Sequence, residues 1–249
     1  MSLFLLFGVP LLRFKVMEII AHRGASAYAL ENSREALELA VQMGADRIEV
    51  DVRVTRDRVP IVLHDSMLDR VTTGHGRLAD VTFSKLAKIR LKNGEPILPL
   101  AEAVAMLEGK CPLYLDLKER RAVEPTIKVI RDVKAEEVII GASSLEILKS
   151  IHLLAPKVPV SLLVRTLGKE AIEAAQYAKA AFIHLCWEKY PNPASLLTSE
   201  LFNRARAAGL KVILWHEERA EVLREIARLK DVFGVCTNAP DLARRILLG

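Results

Sequence analysis

Two acids stand one residue apart in Arg47-Ile48-Glu49-Val50-Asp51-Val52-Arg53. In an extended strand alternate residues share a face. Ile48, Val50 and Val52 therefore make an apolar face, and Glu49 and Asp51 set two carboxylates side by side on the other. Buried without a partner, each acid carries a large desolvation cost and raises the other's pKa. A divalent cation relieves both penalties, because Mg²⁺ and Ca²⁺ take oxygen ligands from clustered carboxylates. The plainer alternatives are a solvated edge strand, or ion pairs from Arg47 and Arg53 to the two acids. His22 and His64 are a second set of interest, each at the end of an apolar run. Two histidines flanking a metal pair suit general acid and general base roles on either side of a reacting phosphorus. Arg23 and Lys118 supply the positive charge that a phosphodiester needs, one as a planar fork and one as a point charge. Ordinary ion pairing with Asp116 or Glu49 is their structural alternative.

Such side chains need a scaffold that brings them together. From Met17 onward, short apolar runs alternate with stretches whose apolar residues recur every three or four positions. The runs are Glu18–Ala21, Arg47–Arg53 (continued by Val59–His64), Leu113–Lys118, Glu137–Gly141, Val158–Val164, Ala181–Leu185, Leu210–Trp215 and Val232–Cys236. The helical stretches are Ser33–Met43, Leu100–Leu107, Val123–Val133, Leu145–Leu154, Lys169–Ala178, Ser199–Ala208, Ala220–Leu229 and Asp241–Leu248. Gly44, Gly109 and Gly209 follow three of these, where a left-handed cap belongs. Eight strand–helix units predict a (β/α)8 TIM barrel. A doubly wound open sheet is the runner-up, and no Gly-x-Gly-x-x-Gly follows the first strand to support its dinucleotide-binding form. In a barrel His22, Glu49 with Asp51, His64 as the end of the second strand's extension, and Asp116 with Lys118 all converge on the carboxyl rim. The long connection Asp65–Pro99, rich in Asp, Thr, Gly and Arg, emerges over that rim as an insertion with packing of its own.

Composition narrows the class. The formal charge is +5 over 249 residues, with Lys and Arg spread among Asp and Glu and no basic block. That disfavours nucleic acid as a partner and weakly favours a small anionic substrate. Cys111, Cys186 and Cys236 are scattered beside apolar runs, which reads as buried thiols in a reducing, cytoplasmic compartment. Residues 1–16 stand apart from the single catalytic domain expected over 17–249. Their apolar run Leu3–Leu12 is too short to span a bilayer, and its basic residues follow it where a secretory signal has them first. An appendage is the favoured reading of this segment, and membrane contact through residues 3–12 the less favoured one. Oligomeric state is left open by the sequence.

The motifs, taken in order, resemble one family. Ala21-His22-Arg23-Gly24, Glu31-Asn32-Ser33, Gly44 through Val52, His64-Asp65, Leu68-Asp69-Arg70 and Thr72-Thr73-Gly74 look like glycerophosphodiester phosphodiesterase, with a weaker tail at Val212–Trp215 and Gly234–Pro240. The resemblance implies a (β/α)8 barrel and metal-dependent hydrolysis of glycerophosphodiesters to an alcohol and glycerol phosphate, with Mg²⁺, Ca²⁺ or Mn²⁺ as the cation. It implies that His22 and His64 are the acid/base pair and that Glu49, Asp51 and Asp116 hold the cation. It also implies that Arg23 and Lys118 meet the phosphate and that Glu31 supports the metal ligands or the glycerol hydroxyls. Trp215 is expected to wall the glycerol pocket, with a core aromatic as its alternative. A lysophospholipase D type activity on lipid head groups and a non-catalytic phosphate- or metal-binding barrel are the rival functions. The chain departs from the family pattern at Leu30, usually Pro, at Asp116, usually Glu, and at Asn238, commonly Asp. Trp215-His216-Glu217-Glu218 replaces a common Trp-Thr-Val-Asn, so His216 and Glu217 are expected to reach the rim and alter leaving-group preference. The shorter Asp116 requires either a third strand closer to the cation or a bridging water.

Overall fold

The computed structural model describes residues 17–165, 168–187, 190, 191 and 193–249. The segment read as an N-terminal appendage, residues 1–16, lies outside the described residues. The first half of the chain runs β1 (Glu18–His22), α1 (Arg34–Gln42), β2 (Arg47–Val54), β3 (Pro60–Val62), α2 (Phe83–Leu86), α3 (Leu100–Leu107), β4 (Leu113–Leu117) and α4 (Val123–Val133). It continues through β5 (Ile139–Ala142), α5 (Leu145–Leu154), β6 (Val160–Val164), α6 (Lys169–Tyr177), β7 (Phe182–Cys186), α7 (Ser199–Ala207), β8 (Lys211–Trp215), α8 (Ala220–Ile226), β9 (Val232–Thr237) and α9 (Pro240–Leu247). Strands β1, β2 and β4 to β9 pair in parallel around a ring closed by β1 against both β2 and β9. This is the (β/α)8 barrel that the alternating pattern predicts.

Local chemistry starts the helices where the sequence says it should. Ser33, Ser144 and Thr198 cap α1, α5 and α7, each accepting a backbone N–H three residues on. The odd-numbered acids of β2 point into the barrel, while Ile48, Val50 and Val52 are fully buried against the helical shell. Inside the ring, Ile20, Tyr114, Ile139, Leu163, Phe182, Ile213 and Cys236 form a plug beneath the rim. Gly141 makes room for it: a Cβ there would lie 2.2 Å from Tyr114 Oη. The insertion has a core of its own, in which Leu68, Val71, Leu78, Leu86, Leu91 and Ile97 close over Ile61 and Leu63.

One strand differs from expectation. The run Val59–His64 does not extend the second strand; it folds back as β3, antiparallel to β2, with Val62 opposite Val52. Arg58 adopts a left-handed φ of 63° and Thr55 closes the turn, its Oγ1 accepting from Val59 N–H at 3.0 Å. His64 thus arrives at the rim from above, and Leu63 N–H donates to Asp51 O at 3.0 Å. Nor do the flanking arginines pair with the acids. Arg47 lies at the opposite end of the barrel, its Nε 2.9 Å from Glu18 Oε2, and Arg53 Nε donates to His64 O at 2.6 Å.

Candidate active site

Register sets the heart of the site. β1 places His22 beside Glu49, and β4 places Asp116 beside Asp51. Glu49, Asp51 and Asp116 are buried, and each offers a carboxylate oxygen within 4.8 Å of the others. The shorter acid of β4 therefore reaches the cluster from its place in the ladder. The loop after β1 holds it from the side. Gly24 has φ +83°, and a Cβ there would strike the Ala36 carbonyl at 2.6 Å, so the chain turns sharply through Arg23, itself at φ 57°. The turn aims Arg23 N–H at Glu49 Oε2, 2.8 Å away. Arg23 Nε lies 3.1 Å from Asp51 Oδ2 and its Nη1 3.0 Å from Glu31 Oε1. Lys118 Nζ lies 2.7 Å from Asp51 Oδ1 and also pairs with Asp116.

Three acids against two cations leave the cluster short of positive charge. Burial and then the Asp51 charge push Glu49 well above the usual carboxylate range. Burial also raises Asp116, against the pull of Lys118. Asp51 goes the other way: burial opposes its ionisation, but Lys118 and Arg23 more than offset that and hold it low. Glu49 Oε1 is buried with no hydrogen-bond partner among the described residues. A hard divalent cation would satisfy that oxygen and lower Glu49 to its ionised form, so the donor set fits Mg²⁺, Ca²⁺ or Mn²⁺.

The two histidines are both oriented through Nδ1. His22 Nδ1 lies 2.7 Å from Asn238 Oδ1, and its Nε2 has no partner among the described residues. Burial first, then the charges of Arg23 and His216, drive the His22 pKa well below 6.5, so the ring is neutral at pH 7. His64 Nδ1 lies 2.6 Å from Asp65 Oδ1 on a side chain about a third exposed. Asp65 is held in turn by Arg70 Nε, and Arg70 forks onto Glu31 at 2.6 and 2.8 Å. Burial works against the Asp65 charge, but the hydrogen bonds from Arg70 and His64 hold its pKa at about 2. Trp215 stands edge-on to His22 at 5.0 Å, with Lys118 Nζ 5.6 Å from its ring centroid.

All nine residues picked from the sequence lie on this rim or in the loops above it. Glu31 is spent on Arg23 and Arg70. His216 reaches His22 and stacks on it. Glu217 does not present its acid to the rim: its carboxylate is buried and takes Arg219 Nη2 at 2.6 Å and Nε at 2.8 Å. Sequence reasoning missed Asn32, whose Nδ2 donates to Asp51 Oδ2 at 2.8 Å, as well as Arg70 and Asn238 as functional groups. The one available signal was their place within or beside the quoted motifs.

The profile of the glycerophosphoryl diester phosphodiesterase family matches residues 22–242. The chain belongs to that family. A glycerophosphodiester phosphodiesterase of Caldanaerobacter subterraneus is 29% identical over 237 residues, covering 90% of this chain and 94% of that protein. The Bacillus subtilis protein YhdW is 43% identical over 109 residues, which is 41% of this chain but only 45% of that protein's length. A solved Oleispira antarctica phosphodiesterase, in complex with the product sn-glycerol-3-phosphate, shares the fold at a TM-score of 0.84 and 21% identity. That likeness covers 94% of this chain and 98% of the other. Among the described residues of this family member, no helix is long and apolar enough to cross a membrane.

Proposed function

We propose that the protein hydrolyses glycerophosphodiesters to an alcohol and glycerol phosphate, with Glu49, Asp51 and Asp116 holding one divalent cation and His22 and His64 carrying protons. One observation carries the reading. Both histidines have Nδ1 fixed by an oxygen acceptor, Asn238 for His22 and Asp65 for His64, which turns each Nε2 toward the site around a cation-seeking acid cluster. A divalent cation held by Glu49, Asp51 and Asp116 would supply Lewis-acid charge to the phosphoryl group and to the attacking oxygen.

The chain's own groups divide the remaining work. Arg23 and Lys118 meet the phosphate oxygens, since both already sit at the acid cluster and bring the charge that a phosphodiester lacks. Neutral His22 takes the proton of the attacking hydroxyl on its bare Nε2. His64, oriented by Asp65 through Nδ1, gives a proton to the departing alkoxide. Trp215 closes one wall, excluding water beside His22. The buried thiols Cys111 and Cys236 support a reducing, cytoplasmic setting. The test is release of glycerol phosphate from glycerophosphodiesters of differing alcohol. Turnover should vanish on chelation and return with Mg²⁺, Mn²⁺ or Ca²⁺; full activity after exhaustive chelation would overturn the role of the acid cluster. Solvent-oxygen labelling separates attack by the glycerol 2-hydroxyl, through a cyclic phosphate, from direct attack by water.

A further inference from the structure

The Asn238 carboxamide bridges two histidine rings. Its Oδ1 lies 2.7 Å from His22 Nδ1 and its Nδ2 3.2 Å from His216 Nδ1. The rings are stacked, with centroids 5.0 Å apart and planes 18° from parallel. His216 Nδ1 also faces Glu218, whose Oε2 and Oε1 are 2.9 and 3.1 Å away. That carboxylate is fixed by Asn238 N–H, which donates to Oε1 at 2.6 Å.

A single ring nitrogen is thus approached by a donor and by an acceptor, and its proton decides which is satisfied. Bare, His216 Nδ1 accepts from Asn238 Nδ2. The carboxamide then offers Oδ1 to His22, whose proton sits on Nδ1 and whose Nε2 carries the lone pair. Protonated, His216 Nδ1 donates to Glu218 and meets Nδ2 donor to donor. A half-turn of the carboxamide removes the clash: Oδ1 shares the His216 Nδ1–H with Glu218, and Nδ2 donates to His22 Nδ1. Neutral His22 then loses its Nδ1 proton to solvent and takes one from solvent on Nε2, with no change in charge. Ser26 fits both arrangements, because its Oγ lies 2.8 Å from Asn238 Oδ1 and 2.7 Å from His22 O. Its hydroxyl donates to either oxygen, and in the second arrangement its oxygen accepts from Nδ2.

We propose that Asn238 is a two-position selector of the His22 tautomer, set by whether His216 Nδ1 is protonated against Glu218. Asn238 is a positioning residue that acts through His22, and its importance for turnover rests on the proton-carrying role given to His22 above. An aspartate at 238 would only accept, and would hold the His22 proton on Nδ1 throughout. Among the described residues, the titratable and charged groups around the two rings include Glu218 after β8, Arg23 after His22 on β1, and Glu49 and Asp51 on β2, the first beside His22 in the ladder and the second reaching it by its charge.

The test reads nitrogen resonances, so it does not depend on turnover. The full chain, labelled with ¹⁵N-histidine and without added metal, is titrated over the range in which histidines change charge, roughly pH 5 to 8. His22 should exchange its Nδ1–H signature for Nε2–H as His216 gains its proton. His216→Asn should abolish the exchange, and Asn238→Asp should keep His22 as Nδ1–H at every pH. A His22 that keeps one tautomer while His216 titrates, or that exchanges equally in Asn238→Asp, would overturn the selector. If the exchange occurs but no glycerophosphodiester is hydrolysed, the proposed function falls and the selector stands.

Discussion

Asn32 gives the most direct test of how the acid cluster is held. Its side chain is 2% exposed, donates Nδ2 to Asp51 Oδ2 at 2.8 Å and accepts Asp51 N–H on Oδ1 at 3.3 Å, from a backbone at φ 59°. Asn32→Ala removes both bonds and leaves a Cβ-bearing residue in the left-handed region without a side chain that supports it. A hydrogen bond to a charged group is worth about 1.5–3 kcal/mol, and the backbone penalty is about 1–2 kcal/mol. Together they predict a loss of about 2.5–5 kcal/mol, read from the urea-unfolding midpoint at unchanged slope. Asn32→Gly loses the same bonds without the steric penalty, so it should recover about 1 kcal/mol after the extra entropy of a glycine in the unfolded chain. Freed of its donor, the Asp51 carboxylate is held less firmly, and the cation concentration for half-maximal turnover should rise about 10-fold or more in both variants. An alanine variant within about 0.5 kcal/mol of the parent, or unchanged metal dependence, would refute the idea that Asn32 fixes Asp51.

Other perturbations follow from the same geometry. His22→Ala and His64→Ala should each lower turnover by roughly 10²-fold or more with little loss of stability; near-full activity in either removes that residue from the proton path. Asp116→Asn should raise the metal requirement more than Asp116→Glu, since only the acid supplies ligand charge, and equal metal titrations would leave Glu49 and Asp51 as the sole ligands. Arg70→Met should lower kcat with a small change in KM, because it frees Asp65 and so the His64 ring; an unchanged kcat would make the insertion a bystander. His184 is fully buried and its pKa falls to about 3, chiefly through burial and secondarily through the Lys118 charge. The unfolded chain binds that proton first, so this contribution is complete above about pH 6.5 and is lost as pH falls toward 3, by about 1.4 kcal/mol per pH unit. His184→Asn, measured against the parent across that window by unfolding, should flatten the loss; parallel curves would show that the ring is not the group responsible.

Strand and helix order was legible because each barrel strand is an apolar run and each covering helix carries a three-and-four stripe. The return of β3 was not. Val59–Leu63 reads as extended chain in either direction, and its turn is made by Arg58 in a left-handed conformation without the glycine that would have marked it. Arg47 and Arg53 share a face with Glu49 and Asp51, so alternation alone suggested ion pairs. Rise along the strand separates them, and each found a nearer acceptor at its own level. The acids and histidines were visible from their spacing because they sit at consecutive strand ends. Asn32 and Asn238 were hidden for a different reason. A carboxamide serves as donor or acceptor according to what tertiary structure sets against it, and the partner of Asn238 lies 216 residues away.

That separation has a consequence for how the site is put together. β9 is the strand beside β1, and Asn238 follows it directly, so the seam where the ring closes runs beside His22. The segment through the end of β4 and Lys118 already carries all three acids, Lys118 and His64 with its aspartate. The group that orients His22 comes only after β9, 216 residues further along the chain. On the proposed reading, proton transfer at His22 therefore depends on β9 as well as on the strands that carry the acids. The proposed proton path thus runs across the seam that closes the ring.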